Sequence, residues 1–125
     1  MRYLIDTQIF IWLMEDSKKV PPEIRTLLQD SSINVFISIA NIWEIVIKQA
    51  KGRLKTPEDI EISINKVGFK VLPIEVYHVL GLRRLPDYHR DPFDRILTAQ
   101  ALAEDLTLIT SDKKIWKYNL KLIKA

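Results

Sequence analysis

MRYLIDTQIFIW, residues 1–12, is the stretch whose reading decides the fold. Tyr3, Leu4 and Ile5 form a short apolar run that reads as a buried strand, and Ile9, Phe10, Ile11 and Trp12 resume the hydrophobicity at a spacing a helix can use. Thr7 can serve as the helix N-cap, which leaves Asp6 at the junction where strand ends and helix begins. In open α/β sheets that edge, outside the carboxyl ends of the strands, is where ligands bind. An isolated aspartate there also serves as an ordinary turn cap, so Asp6 has to be weighed together with the other acids.

The same alternation continues along the chain. Pro21-Pro22 opens a helix through Leu28, Asn34 to Ile37 reads as a second strand, and Ser38 caps a long apolar helix from Ile39 to Lys51 that closes at Gly52. On that helix Ile39, Ile42, Trp43, Val46 and Ala50 share one face, predicted to point inward. Glu44 lies on the flank with Ala40, Ile47, Lys48 and Lys51. Thr56-Pro57-Glu58 resembles the cap of a further helix to Lys66, followed at Gly68 by a strand from Phe69 to Leu72. Ile74 to Leu85 reads as a helix with Val76, Val79, Leu80 and Leu82 inward. Its His78 is a surface or satisfied side chain, since no second histidine stands at helical ligand spacing. RDPFDRILTAQALA, residues 90–103, starts a helix at Asp91-Pro92 and runs on through small residues that permit close packing on a sheet. Leu108 to Thr110 is a fourth strand leading into Ser111-Asp112, and Leu120 to Ile123, with lysines at 117, 121 and 124, suits an exposed edge strand.

Composition narrows the classes. The 125 residues fit one domain, 1–125, with no repeat or linker, and 47% hydrophobic with 28% charged residues is a globular balance. Without cysteine there is no disulfide, thiolate metal site or thiol nucleophile, which fits a cytoplasmic location. No apolar run approaches a membrane span, and the chain begins on a strand instead of a signal peptide, so neither membrane insertion nor secretion is expected. A net charge of +3 permits an anionic partner without requiring one.

Most of the 16 acids belong to polar loops or helix faces, but Asp6, Glu44, Asp94 and Asp112 adjoin strongly apolar segments. Three have an ordinary explanation, a turn cap for Asp6, a Glu44–Lys48 pair four residues apart and a helix N-cap for Asp112, while Asp94 is harder to dismiss. Together they say more. Strands separated by helices predict a parallel sheet with helices on both faces, and right-handed crossovers bring the strand tips to one edge. Asp6 and Asp112 would reach that edge from strand tips, Glu44 and Asp94 from helices alongside. Crowded carboxylates need a cation or protons, and an all-oxygen donor set favours Mg²⁺ or Mn²⁺ over zinc. Such an ion beside phosphate oxygens can support phosphodiester hydrolysis. Asp91 either shares the metal through water or only caps its helix. Lys48, Lys51, Arg53 and Lys55 form a basic cluster that is either a solvated face or a phosphate contact, and Arg95 is either an ion-pair partner or a phosphate contact.

Leu4-Ile5-Asp6-Thr7, Ser38 with Trp43-Glu44, Asp91-Pro92-Phe93-Asp94-Arg95 with Ala99-Gln100-Ala101, and Thr110-Ser111-Asp112 occur in an order and spacing that resembles the PIN-domain ribonucleases. Within that group the resemblance is to the toxins of VapC-type toxin–antitoxin pairs. It implies a PIN-like α/β/α fold with a five-stranded parallel sheet and an endoribonuclease that binds metal and cleaves RNA through Asp6, Glu44, Asp94 and Asp112. Thr7 and Ser111 would give polar support. It also implies a homodimer and an antitoxin partner that blocks the site. Trp12, Met14, Trp43 and Ile47 exceed what a small sheet needs, and part of this set is expected to line a groove for an amphipathic antitoxin helix. A receiver domain or a haloacid-dehalogenase-type phosphatase also places acids at strand tips, but Asp6 is followed by Thr7-Gln8, without the second acid either requires. A non-catalytic module whose acids receive a partner's basic side chains is the other class.

Overall fold

In a computed structural model, which describes residues 1–52 and 59–125, the chain alternates strand and helix. The strands are β1 (Arg2–Ile5), β2 (Asn34–Ser38), β3 (Lys70–Leu72), β4 (Thr107–Thr110) and β5 (Leu122–Lys124). The helices are α1 (Thr7–Met14), α2 (Pro22–Leu28), α3 (Ile39–Ala50), α4 (Ile60–Val67), α5 (Val76–Gly81) and α6 (Pro92–Ala103), with short 3₁₀ turns at Leu82–Arg84 and Ile115–Lys117. All strands pair in parallel in the order β3-β2-β1-β4-β5. Because β1 has β2 on one side and β4 on the other, connections leave it in opposite directions, and a crevice opens beyond the carboxyl ends of β1 and β4.

The two faces of the sheet follow from strand alternation. Tyr3, Ile5, Val35, Ile37 and Ile109 point to one side and bury Ile9 and Phe10 of α1, Ile24 of α2, Ile45 of α3 and Ile64 of α4. Leu4 and Leu108 point to the other side, against Leu97 and Ala101 of α6 and Ile115. A sheet covered on both faces needs continuous apolar strands, which is why RYLI and TLIT show no polar alternation. A third cluster, Ala40 with Ile96 and Ala99, joins α3 to α6 through small side chains.

Local chemistry sets the boundaries. Ser38 and Asn41 form a reciprocal capping box at the start of α3. Gly68, at φ 73°, ends α4 in the left-handed conformation that favours glycine. Asp59 caps α4, while the Thr56-Pro57-Glu58 cap expected from sequence lies outside the described residues.

Three expectations are corrected. The N-cap of α1 is Asp6, not Thr7: the Asp6 carboxylate accepts from the Ile9 N–H, and Thr7 is the first helical residue, its hydroxyl turned to other partners. On α3 the buried stripe is Ala40, Asn41 and Ile45, whereas Ile39, Trp43 and Val46 are exposed. The helix is wedged between α1 and α6, so a small residue and a hydrogen-bonding one fit where bulky aliphatics do not, and Glu44 borders the buried stripe. On α5 the inward residue is His78, and Val76, Val79 and Leu80 face out. The helix is also shorter than the sequence indicates, because Leu82–Arg84 tightens into a 3₁₀ turn and Gly81 lies against Ala99 of α6. His78 is a satisfied side chain, accepting from the Glu75 N–H and bonded to Glu104.

The corrected face of α3 can be tested by urea unfolding. Ile45→Ala should cost about 2–5 kcal/mol and Val46→Ala less than about 1 kcal/mol, the reverse of what the large apolar stripe alone would give.

Candidate active site

The crevice beyond β1 and β4 holds a cavity of about 290 Å³ lined by Asp6, Thr7, Gln8, Glu44, Lys48, Asp94, Ser111 and Asp112. All four acids singled out in the sequence are in it. Roomier pockets elsewhere, of about 650, 600 and 370 Å³, are lined largely by aliphatic and neutral side chains. Convergent carboxylates from separate elements, not size, mark the smaller cavity.

Asp6 is almost fully buried and closely held. Oδ1 accepts from the Ile9 N–H at 2.8 Å, and Oδ2 accepts from the Thr110 hydroxyl at 2.6 Å and the Ser111 N–H at 3.3 Å. Burial pushes its carboxyl above the usual range, the hydrogen bonds from Thr110, Ile9 and Ser111 pull it back, and Asp112 adds a further upward push. The Thr110 hydroxyl also accepts from the Asp112 N–H at 3.0 Å, so one side chain at the end of β4 sets both acids.

Glu44 is aimed by a relay that starts at a helix cap. The side-chain oxygen of Asn41 accepts from the Ser38 N–H at 2.8 Å, its amide nitrogen donates to Thr7 Oγ1 at 3.0 Å, and Thr7 donates to Glu44 Oε1 at 2.7 Å. Glu44 Oε2 lies 3.4 Å from Lys48 Nζ at the cavity wall, the pairing its spacing predicts.

Asp94 is in the first turn of α6, where the helix dipole favours an anion, but its surroundings oppose ionisation. Burial first, then the charges of Asp91, Glu44, Asp112 and Asp6, push its carboxyl up to about 8. Asp91 itself is the helix cap, accepting from the Phe93 and Asp94 N–H groups, and it does not line the cavity. Asp112 Oδ1 accepts from the Lys114 N–H, so this acid also caps the turn that follows it.

The residue missed in the sequence is His89. It is buried, and its Nε2 lies 3.0 Å from Asp94 Oδ2 and 2.8 Å from Asp112 Oδ2. Its signal was its place two residues before the Asp91-Pro92 helix start, where the chain turns back on the first turn of α6. Arg95, open as a phosphate contact on sequence grounds, is occupied internally: it donates to the carbonyls of Pro86, His89 and Leu82 and to the Tyr118 hydroxyl, and lies 3.9 Å from Asp87. Lys48 reaches the cavity, Lys51 is exposed at the end of α3, and Arg53 and Lys55 lie outside the described residues.

Raising the Asp94 carboxyl has a consequence for stability. In the unfolded chain it ionises near 3.8 and in the folded, metal-free protein near 8, so the folded form binds the extra proton between these values. Its contribution is therefore neutral below about 4, increasingly destabilising as pH rises, and constant above about 8. In EDTA, Asp94→Asn should melt higher than wild type by on the order of 5 °C at pH 8, with the gap closing toward pH 4. Thermal melts across that range check it.

The fold is shared with solved structures. Chains of VapBC-1 from nontypeable Haemophilus influenzae match at 23% identity over 99% of this chain and 98% of that one, with a TM-score of 0.68. Those of VapBC2 from Rickettsia felis bound to a DNA fragment from their promoter match at 18% identity over 100% and 99%, TM-score 0.69. FitAcB from Neisseria gonorrhoeae matches at 17% identity over 99% and 97%, TM-score 0.70. None of the curated proteins matches the chain. The PIN domain family model matches residues 3–119, nearly the full length, and with the parallel sheet and its acidic edge already described, the chain belongs to the PIN domain family.

Proposed function

We propose that this protein is a metal-dependent endoribonuclease acting as the toxin of a toxin–antitoxin pair. The observation that carries the reading is the convergence of Asp6, Glu44, Asp94 and Asp112 on one small cavity at the sheet edge. The donor set fits a hard divalent ion: all its acids are carboxylates, and burial and mutual repulsion hold the Asp6 and Asp94 carboxyls up in the metal-free protein. These four acids would hold Mg²⁺ or Mn²⁺. When bound, the ion supplies Lewis acidity toward phosphate oxygens and the attacking water.

The chain's own residues do the rest. Thr110 and the Ser111 N–H fix Asp6, Thr7 fixes Glu44, and Lys48 offers a positive charge to a phosphate entering the cavity. The family supports the nuclease reading. Neighbours of the same fold include a toxin–antitoxin complex from Klebsiella pneumoniae, which supports a cognate antitoxin as partner. We extend the proposal to a homodimer, to a single nuclease unit over residues 1–125 and to a cytoplasmic setting. Among the described residues no helix is long and apolar enough to cross a membrane.

Of the apolar side chains expected at an antitoxin groove, Trp43 is the exposed one. It is 59% accessible and packs edge-on against Phe93 at 5.2 Å, while Trp12 and Met14 lean on the core. Trp43 is thus the member of that set we assign to the partner surface.

Purified protein should cleave RNA with Mg²⁺ or Mn²⁺, and Asp6→Asn should lower the rate at least about a hundredfold while leaving the fold intact. Equal cleavage by the two proteins would remove the site from the chemistry, and binding of a basic protein partner without any cleavage would favour a non-catalytic module. Sequencing RNA 5′ ends from cells expressing each form identifies the target. Neutralising Lys51, Arg53 and Lys55 together should flatten the salt dependence of RNA binding by a slope of up to about 2, and an unchanged slope would take the cluster off the RNA path.

A further inference from the structure

His89, Asp94 and Asp112 present three ligand-type atoms within 4.8 Å of one another, an arrangement that at first sight is a metal-binding triad. The hydrogen bonds of the imidazole argue otherwise. Its Nδ1 accepts from the Asp91 N–H at 3.1 Å, and a ring nitrogen that accepts carries no proton. A neutral imidazole has one N–H, so that proton is on Nε2, which is hydrogen-bonded to Asp112 Oδ2 at 2.8 Å and has Asp94 Oδ2 3.0 Å away. A protonated Nε2 has no lone pair for a cation. Exchanging the tautomer would set an Nδ1–H against the Asp91 N–H at the start of α6.

The ring is also fixed from behind. The His89 N–H donates to the Tyr118 hydroxyl at 3.1 Å, and its carbonyl accepts from Arg95 at 3.2 Å. His89 does not line the cavity in which the carboxylates meet, so it stands behind that wall. We infer that His89 is a positioning residue: its Nε2–H holds Asp112 while Asp94 Oδ2 lies against the same nitrogen, so the ring spaces the carboxylate of α6 from the carboxylate following β4 and presets their separation for the ion. This rests on the metal-site reading above.

Two substitutions separate this role from a purely structural one. His89→Asn keeps an acceptor for the Asp91 N–H but is too short to reach the carboxylates, whereas His89→Gln carries an amide N–H near the position of Nε2. Mn²⁺ titration calorimetry at fixed pH should show His89→Asn weaker than wild type by about 10–100-fold and His89→Gln within about threefold, the loss expected when a partner of a metal ligand is removed. Imidazole ¹⁵N spectra of wild type, metal-free and saturated with Mg²⁺, should both show the Nε2–H tautomer. Loss of the Nε2 proton on adding Mg²⁺ would make His89 a ligand and overturn the proposal, as would wild-type Mn²⁺ affinity in His89→Asn. Equal losses in both variants with the Nε2–H tautomer retained would reduce His89 to a packing residue and overturn it too. Absence of Mn²⁺ binding by wild type would overturn the metal reading itself, and the proposal with it.

Discussion

Four carboxylates must be kept within one small cavity although burial and neighbouring acids raise the cost of ionising Asp6 and Asp94, and much of the structure around them exists to hold them there. Asp6 has three donors and the amino end of α1; Asp94 has the amino end of α6; Glu44 has Thr7 and Lys48; Asp112 has the Lys114 N–H. None of these is strong alone, since a typical net hydrogen bond contributes about 0.5–1.5 kcal/mol and an exposed ion pair less. Their effect is geometric. Parallel strands bring the ends of β1 and β4 side by side, and the helices that follow turn their first residues toward the same edge.

Economy of side chains makes this fit in 125 residues. Thr110 serves Asp6 with its proton and the Asp112 N–H with its lone pair. Asn41 closes the capping box of α3 with its oxygen and steadies Thr7 with its nitrogen, so the start of α3 and the aim of Glu44 are one arrangement. Asp91 and Asp94, on the same first turn of α6, divide the work: one satisfies the backbone donors of the helix and the other faces the cavity. Arg95 then locks the loop before α6 by filling its carbonyls, a role that leaves its charge turned inward.

The succession of strands and helices and the convergence of the four acids were legible in the sequence because both rest largely on local grammar. An apolar run followed by an acid and a helix start needs no tertiary information, and Asp6 and Asp112 have it, while Asp94 is marked by the Asp91-Pro92 helix start three residues before it. Faces of helices were less legible. On α3 Ile39, Trp43 and Val46 point outward because Ala40 and Asn41 are what fit between α1 and α6, and on α5 a histidine is inward because Glu75 and Glu104 satisfy both its nitrogens. Hydrophobicity ranks residues by size and polarity, whereas packing between two helices selects for clearance and for complete hydrogen bonding. His89 escaped for the same reason. Its role depends on Asp112, 23 residues away, which no local pattern links to it.

The crowding has a thermodynamic side as well. With Asp94 pushed up to about 8, the metal-free fold carries a proton there near neutral pH that a divalent ion bound at the site would displace. A cation that binds only the folded chain returns stability by mass action, about 2.7 kcal/mol at a hundredfold excess over its Kd. A divalent ion held by these acids would therefore reinforce a fold that the empty site weakens. The same argument bears on the hydroxyl donors, Thr110 on Asp6 and Thr7 on Glu44, that face the acids beside Lys48 at the cavity wall. A fixed positive charge at those positions would relieve the repulsion permanently and compete with the ion, whereas an N–H or O–H orients a carboxylate and leaves most of its charge available.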